Sequence, residues 1–267
     1  MLTLSSDRLN QIGNDHFAHG HYTDAFACYQ QALEHDRKSG DRRALVVTLG
    51  NLGNICAVSD RREQAQAYYR EVLTLQKAFG DERGIGATLV NLGNLRADAG
   101  EWDRARAYYL EALDILTRVG DETGLAVLYA DLGLVARETG HFEEAVRHYE
   151  RSLELMRRLG NDAGVADAYR MLGKTYAVRK MLEEAAACAQ TSLESSRRLR
   201  DELRMAGASY LLAGIREEQG RIAEAVVLLE GVVVIDRKYR LPKLEENIHR
   251  LAALRERHVR DAPDDAR

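Results

Sequence analysis

The sequence predicts an all-α fold, a right-handed α-α superhelix of helical hairpins, and three observations predict it. The first is a forty-residue period. Alanine falls at Ala25, Ala65, Ala105, Ala145, Ala185 and Ala225, and leucine or valine follows eight residues later, from Leu33 to Val233. The second is the near absence of proline: only Pro242 and Pro263 occur, both past the last repeat, so nothing interrupts long helices. The third is a three-four spacing of apolar residues inside every period, the mark of one buried helix face. Self-similarity at this length belongs to stacked solenoids, in which each unit contacts only its neighbours. A stack of this kind presents surface, so the period points to binding rather than to an enclosed catalytic pocket.

Taken in order, the units span about 5–40, 41–80, 81–120, 121–160, 161–200 and 201–240, within a single domain of 1–258. The third shows the design. Ile85, Thr88, Leu89, Leu92 and Leu95 mark one face of a first helix, and Gly100 stops it in a conformation glycine tolerates. Trp102, Ala105, Tyr108, Tyr109, Ala112, Leu113 and Leu116 mark the buried side of a second helix. Gly120-Asp121 closes that helix and opens the next, aspartate serving as N-cap or first-turn acid. Glycine inside a helix costs roughly 1 kcal/mol against alanine, yet Gly13, Gly53, Gly93, Gly133 and Gly173 recur at one phase. Their recurrence predicts a helix approach too close for a Cβ. Tyr29, Tyr69, Tyr109 and Tyr149 are the bulky partners, expected to fill the gap between hairpins. Units five and six drift from the pattern: Lys180 and Ala189 replace glycine and tyrosine in one, Ala213 and Leu229 in the other. The segment from Leu241-Pro242 to about 258 predicts a capping helix with Leu244, Ile248, Leu251 and Leu254 as its stripe. Residues 259–267, ending DAPDDAR, are expected to be a disordered tail.

Leu89, Leu92, Gly93, Gly100, Ala105, Tyr109 and Ala112 together resemble the tetratricopeptide repeat, and the pattern recurs six times from about residue 5 to residue 238. The usual unit of that family has about 34 residues. The longer period here, built around Gly-Asp-x-x-Gly, is similar to the variant in G-protein signalling modulators, kinesin light chains and bacterial peptide-sensing regulators. The resemblance implies a solenoid whose first helices line a concave groove.

The remaining composition excludes more than it adds. A net charge of −4 offers no global basic field for nucleic acid or an anionic membrane. No apolar run is long enough to span a bilayer, and MLTLSSDRLNQ lacks the pattern of a signal peptide. A cytoplasmic location is expected. Cys28, Cys56 and Cys188 are odd in number and show no CxxC spacing, so reduced thiols are expected rather than disulfides or zinc. Gly173-Lys174-Thr175 resembles the end of a phosphate loop, but Ala168 stands where that loop needs glycine. Gly84-Ile85-Gly86 follows no strand. His16, His19 and His21, near Asp15 and Asp24, flank the Gly20 turn and read as solvated surface rather than a ligand set. No nucleophile and base share a local spacing. The expectation is a non-catalytic chain with no cofactor and no bound metal.

By the resemblance, the residue after each Leu-Gly pair faces the groove, which places Asn14, Asn54, Asn94, Leu134, Lys174 and Gly214 there. Asn10, Asn51 and Asn91 run beside the asparagines. Amides combine donors and an acceptor, as an extended peptide backbone requires, and they can equally bond between helices and serve packing. Both readings stay open on sequence alone. Further along, Arg137, Arg170 and Lys174 form a basic section suited to an acidic ligand segment, with Glu138, Asp167, Glu217 and Glu218 close by. The function expected is a protein-interaction adaptor or scaffold holding a peptide segment of a protein partner, as a monomer or weak homodimer. The alternatives are a peptide-sensing regulator whose superhelix tightens on a ligand, and an enzyme or enzyme subunit.

Overall fold

A computed structural model describes residues 4–261, and among them every regular element is a helix. Their contacts separate two compact units, residues 1–128 and 129–267.

The first unit holds three hairpins: α1 (Ser6–Ala18) with α2 (Tyr22–Ser39), α3 (Arg42–Val58) with α4 (Arg62–Phe79), and α5 (Glu82–Asp98) with α6 (Trp102–Arg118). The sequence explains the helix starts. Asp41 accepts hydrogen bonds from the Arg43 and Ala44 amides, and Asp81 accepts one from Gly84, satisfying donors that a helix N-terminus leaves open. Buried alanines at Ala25, Ala65 and Ala105, each 0% exposed, bring the paired helices together. The core gathers Leu49, Leu52, Ile55, Leu92 and Leu95 with Tyr29 and Tyr69. A polar seam runs beside it: the Thr48 hydroxyl donates to Asp36 at 2.6 Å, and Thr88 donates to Gln76 at 2.8 Å.

A Cβ would clash at the recurring helix glycines as predicted, and at four of them what it meets is a tyrosine ring rather than the facing backbone. A Cβ on Gly13, Gly53, Gly93 or Gly133 would sit 2.3–2.7 Å from a ring carbon of Tyr29, Tyr69, Tyr109 or Tyr149, respectively. Each ring therefore lies against the glycine of its own hairpin's first helix, and Tyr29 and Tyr69 belong to the same core as leucines of the following hairpins. Helix glycine is tolerated because a large apolar ring takes the space its side chain would need.

The chain divides within α7 (Glu122–Glu138). The second unit continues with α8 (Phe142–Arg158), the pair α9 (Asp162–Val178) and α10 (Leu182–Leu199), the pair α11 (Glu202–Glu218) and α12 (Ile222–Tyr239), and α13 (Leu244–Asp261). Hairpin five lacks the tyrosine, and its helices close up. The Ala185 carbonyl oxygen and Ala189 nitrogen lie 3.2 and 3.3 Å from where a Gly173 Cβ would be. In hairpin six both marks change, glycine to Ala213 and tyrosine to Leu229, and both residues are fully buried.

The C-terminal cap begins later and runs further than expected. Pro242 sits in the turn before α13, where the Leu241 amide bonds the Asp236 carbonyl at 2.9 Å. Leu251 and Leu254 of α13 are buried against α12. The helix continues through residues 259–261, where the sequence predicts a tail; residues 262–267 of that tail lie outside the described residues.

Candidate functional site

The asparagines of the first unit form bonds inside the protein. The Tyr29, Tyr69 and Tyr109 hydroxyls donate to the Oδ1 atoms of Asn14, Asn54 and Asn94 at 2.8, 2.7 and 2.5 Å. The tyrosine that covers the helix glycine thus ends on the next residue of the same helix. Asn10 is buried and donates to Thr48 Oγ1 at 2.7 Å, while Asn51 donates to Asn10 Oδ1 at 2.9 Å. Asn91 is half-buried. Packing therefore occupies Asn10 and Asn51 and the carbonyl side of Asn14, Asn54 and Asn94. Asn14 and Asn54 are exposed, which leaves their amide nitrogens in reach of solvent.

The second unit contains a groove of about 540 Å³ lined by α9, α11, the end of α12, the Leu241–Lys243 turn and α13. Successive first helices supply two of its walls, as the resemblance implied. Residues Gly207, Tyr210, Leu211, Gly214 and Glu218 of α11 project into it at helical spacing. The two glycines keep the floor low. A Cβ on Gly207 would lie 3.7 Å from Arg170 Cδ, and one on Gly214 would lie 3.4 Å from Arg250 Nη2. Tyr210 stands between them, with Arg250 Cζ 5.0 Å and Lys243 Nζ 5.6 Å from its ring centroid. Both distances suit attraction between a cation and a ring face.

Four cations thus meet at the groove: Arg170, Lys174, Lys243 and Arg250. The acids that blurred the sequence reading are largely engaged. Glu217 holds Arg250 at 2.8 Å, Glu218 holds Lys180 at 2.8 Å, and Asp167 lies 3.1 Å from Arg204 and 3.5 Å from Arg170. Buried Asp236 accepts from Asn247 Nδ2 at 2.7 Å. Lys174 has no ion-pair partner among the described residues. Burial lowers the pKa of its ammonium, and the Arg170 and Arg137 guanidiniums lower it further. A lysine in that position gains from any anion that displaces water beside it.

Of the basic residues picked from sequence, Arg170 and Lys174 line this groove. Arg137 is half-buried beside it in sequence register, pairing with Glu138 at 2.7 Å and approaching Met171 Sδ at 3.7 Å. Sequence reasoning did not find Tyr210, Lys243 or Arg250. A usable signal existed: Gly207 and Gly214, seven residues apart on one helix face, occupy phases where glycine does not otherwise repeat.

Helical hairpins joined in sequence order, four of them with glycine under tyrosine, are the pattern of helical-repeat proteins. The tetratricopeptide repeat model matches residues 5–78, 84–158 and 125–198, and the chain belongs to the tetratricopeptide repeat family. No curated protein matches the sequence. Among solved structures, BtubC (BKLC) from P. vanneervenii is similar, with 20% identity and TM-score 0.69 over 90% of this chain and 94% of that one. A Rap protein complexed with Competence and Sporulation Factor has 13% identity and TM-score 0.70, over 95% of this chain and 76% of that one. Aspartyl phosphate phosphatase F from Bacillus subtilis has 11% identity and TM-score 0.69, over 92% and 69%. At these identities the likeness is one of fold. No helix among the described residues is long and apolar enough to cross a membrane.

Proposed function

We propose that the chain is a non-catalytic protein-interaction module that seats an acidic stretch of an extended partner peptide in the groove between α9, α11 and α13. The fold itself suggests protein–protein interaction, and its family is generally non-catalytic. The observation that carries the finer reading is Lys174, which is partly buried beside other cations and has no ion-pair partner of its own among the described residues. A carboxylate arriving there would gain charge-assisted hydrogen bonds. The apolar floor from Leu203, Leu211, Ile215 and Leu241 would accept aliphatic side chains of the same peptide. In the first unit the free amide faces of Asn14 and Asn54 would bind peptide carbonyls.

Fluorescence anisotropy with labelled decapeptides, alternating glutamate and leucine or lysine and leucine, tests this. The acidic peptide should bind more tightly, and Arg170→Glu with Lys174→Glu should abolish the preference and its salt dependence. Equal binding of both peptides to the parent chain would sink the proposal.

A regulatory variant of the same function draws on the fold likeness to a Rap protein crystallised with Competence and Sporulation Factor. If the chain is a sensor of this kind, solution scattering should show compaction when peptide binds. An adaptor would keep its scattering profile.

A further inference from the structure

Two hairpins bring three side chains together where the first helix ends and the second begins. In the third hairpin these are Arg96, Glu101 and Arg104, and Glu101 holds both arginines, at 3.1 and 3.0 Å. In the sixth they are Arg216, Arg221 and Glu224, and Glu224 holds both arginines, at 3.2 and 2.5 Å. In the second, Cys56 Sγ and Gln64 Oε1 of the corresponding pair are 3.8 Å apart. In these hairpins the turn makes the side chains converge. In the first hairpin the same positions are His16, His21 and Asp24, and ligand atoms of the three lie within 4.8 Å of one another. The first hairpin thus fills all three positions with metal-ligating groups.

The backbone holds them in place. The His21 amide bonds the His16 carbonyl at 2.9 Å, and the Ala25 amide bonds the His21 carbonyl at 3.0 Å. A fourth imidazole stands beside them. His19 lies with its ring stacked 6.2 Å from that of His21, and its Nδ1 is 2.8 Å from the Asp15 carbonyl oxygen. A carbonyl only accepts, so Nδ1 carries a proton there, and in the neutral ring Nε2 has the lone pair. The fourth hairpin shows that these two positions reach each other, since Thr139 Oγ1 lies 2.9 Å from His141 Nδ1.

We propose that His16, His21 and Asp24 bind a borderline divalent cation, Zn²⁺ in particular, with His19 Nε2 closing the fourth position after a side-chain rotation. Three imidazoles and one carboxylate match the nitrogen-rich, four-coordinate preference of zinc, whereas Mg²⁺ and Ca²⁺ require oxygen ligands. The ion would cross-link α1 to α2 and brace the first hairpin.

Full-length protein stripped with chelator should bind one equivalent of Zn²⁺ in calorimetry, without competition from millimolar Mg²⁺. Co²⁺ should give the visible absorption of a four-coordinate nitrogen and oxygen site. His16→Ala with His21→Ala should weaken Zn²⁺ binding by more than the roughly 10–100-fold that losing an outer-shell partner costs, with the helical circular dichroism unchanged. Zn²⁺ should also slow amide exchange in residues 16–25 of the parent and not of the double variant. Failure to saturate, undiminished binding by the double variant, or thiolate charge-transfer absorption with Co²⁺ would overturn the proposal. The last result would move the ion to a cysteine, and Cys28→Ser, which should leave binding intact, checks it independently.

Discussion

Tyr29, Tyr69 and Tyr109 each perform two tasks, covering a helix glycine with the ring and donating the hydroxyl to an asparagine. Tyr149 performs only the first. Its neighbour position holds Leu134, and its hydroxyl is buried without a partner among the described residues. Burial pushes that hydroxyl's pKa up to about 12. A buried hydroxyl left unpaired costs about 1–3 kcal/mol, while a made bond contributes about 0.5–1.5 kcal/mol. Tyr149→Phe is therefore expected to be neutral or stabilising, and Tyr69→Phe to cost about 1 kcal/mol. Leu134→Asn should show about 1 kcal/mol of favourable coupling to Tyr149 in a double-mutant cycle with Tyr149→Phe, read from urea unfolding. Zero coupling would mean that the tyrosine–asparagine bond does not transfer between hairpins. The glycines give a sharper contrast. Gly93→Ala places a methyl 2.3 Å from Tyr109 Cε1 and should cost roughly 1–3 kcal/mol by overpacking. Gly231, in α12, has nothing within 4 Å of its missing Cβ, so Gly231→Ala should stabilise by about 0.5–1 kcal/mol. Thermal melts of the pair should move in opposite directions.

The helices end in a left-handed residue that is usually glycine, as at Gly40, Gly80 and Gly120. Asp60, Lys180, Arg200 and Arg240 take this place instead, with φ of 56°, 61°, 55° and 53°. A side chain there meets the steric penalty that favours glycine. Lys180 has an ion pair with Glu218 in return. Arg200 caps α10 from an exposed position, so Arg200→Gly should raise stability by roughly 0.5–1 kcal/mol, seen as a higher urea midpoint at unchanged slope. An unchanged or lower midpoint would show that Arg200 makes a compensating contact. At this scale the sequence was informative because element ends carry local chemistry: aspartate caps, left-handed glycines and three-four apolar spacing name their own structure. Arg170 and Lys174 were legible for the same reason, being fixed by register. What stayed hidden depended on distant partners. The asparagine carbonyls are taken by tyrosines fifteen residues away on another helix, which spacing on one helix does not reveal. Lys243 and Arg250 lie in the capping segment, outside the period, and reach the groove only because Tyr210 and the low glycine floor of α11 draw them across it.

In a stack of hairpins stability is close to a sum of unit and nearest-neighbour terms, and in this chain the contacts further separate residues 1–128 from 129–267. Damage should therefore stay local. Tyr109 provides the test, since it is 1% exposed, fills the space over Gly93 and bonds Asn94. Tyr109→Ala removes an aromatic ring from a closed site and should cost about 3–5 kcal/mol. That loss exceeds the difference between local opening and global unfolding for many regions of a protein. Hydrogen exchange by mass spectrometry on the full chain should then show faster exchange in α5 and α6 and in the hairpins packed against them. Peptides from α11, α12 and α13 should keep their parent protection, because their core of Ala213, Leu229, Val232 and Leu251 contains no residue of the first unit. The acidic peptide of the proposed function should still bind Tyr109→Ala, since every cation of its groove lies beyond residue 128. Uniform deprotection across the chain would instead mean that the molecule unfolds as one cooperative body, and the argument from nearest neighbours would fail with it.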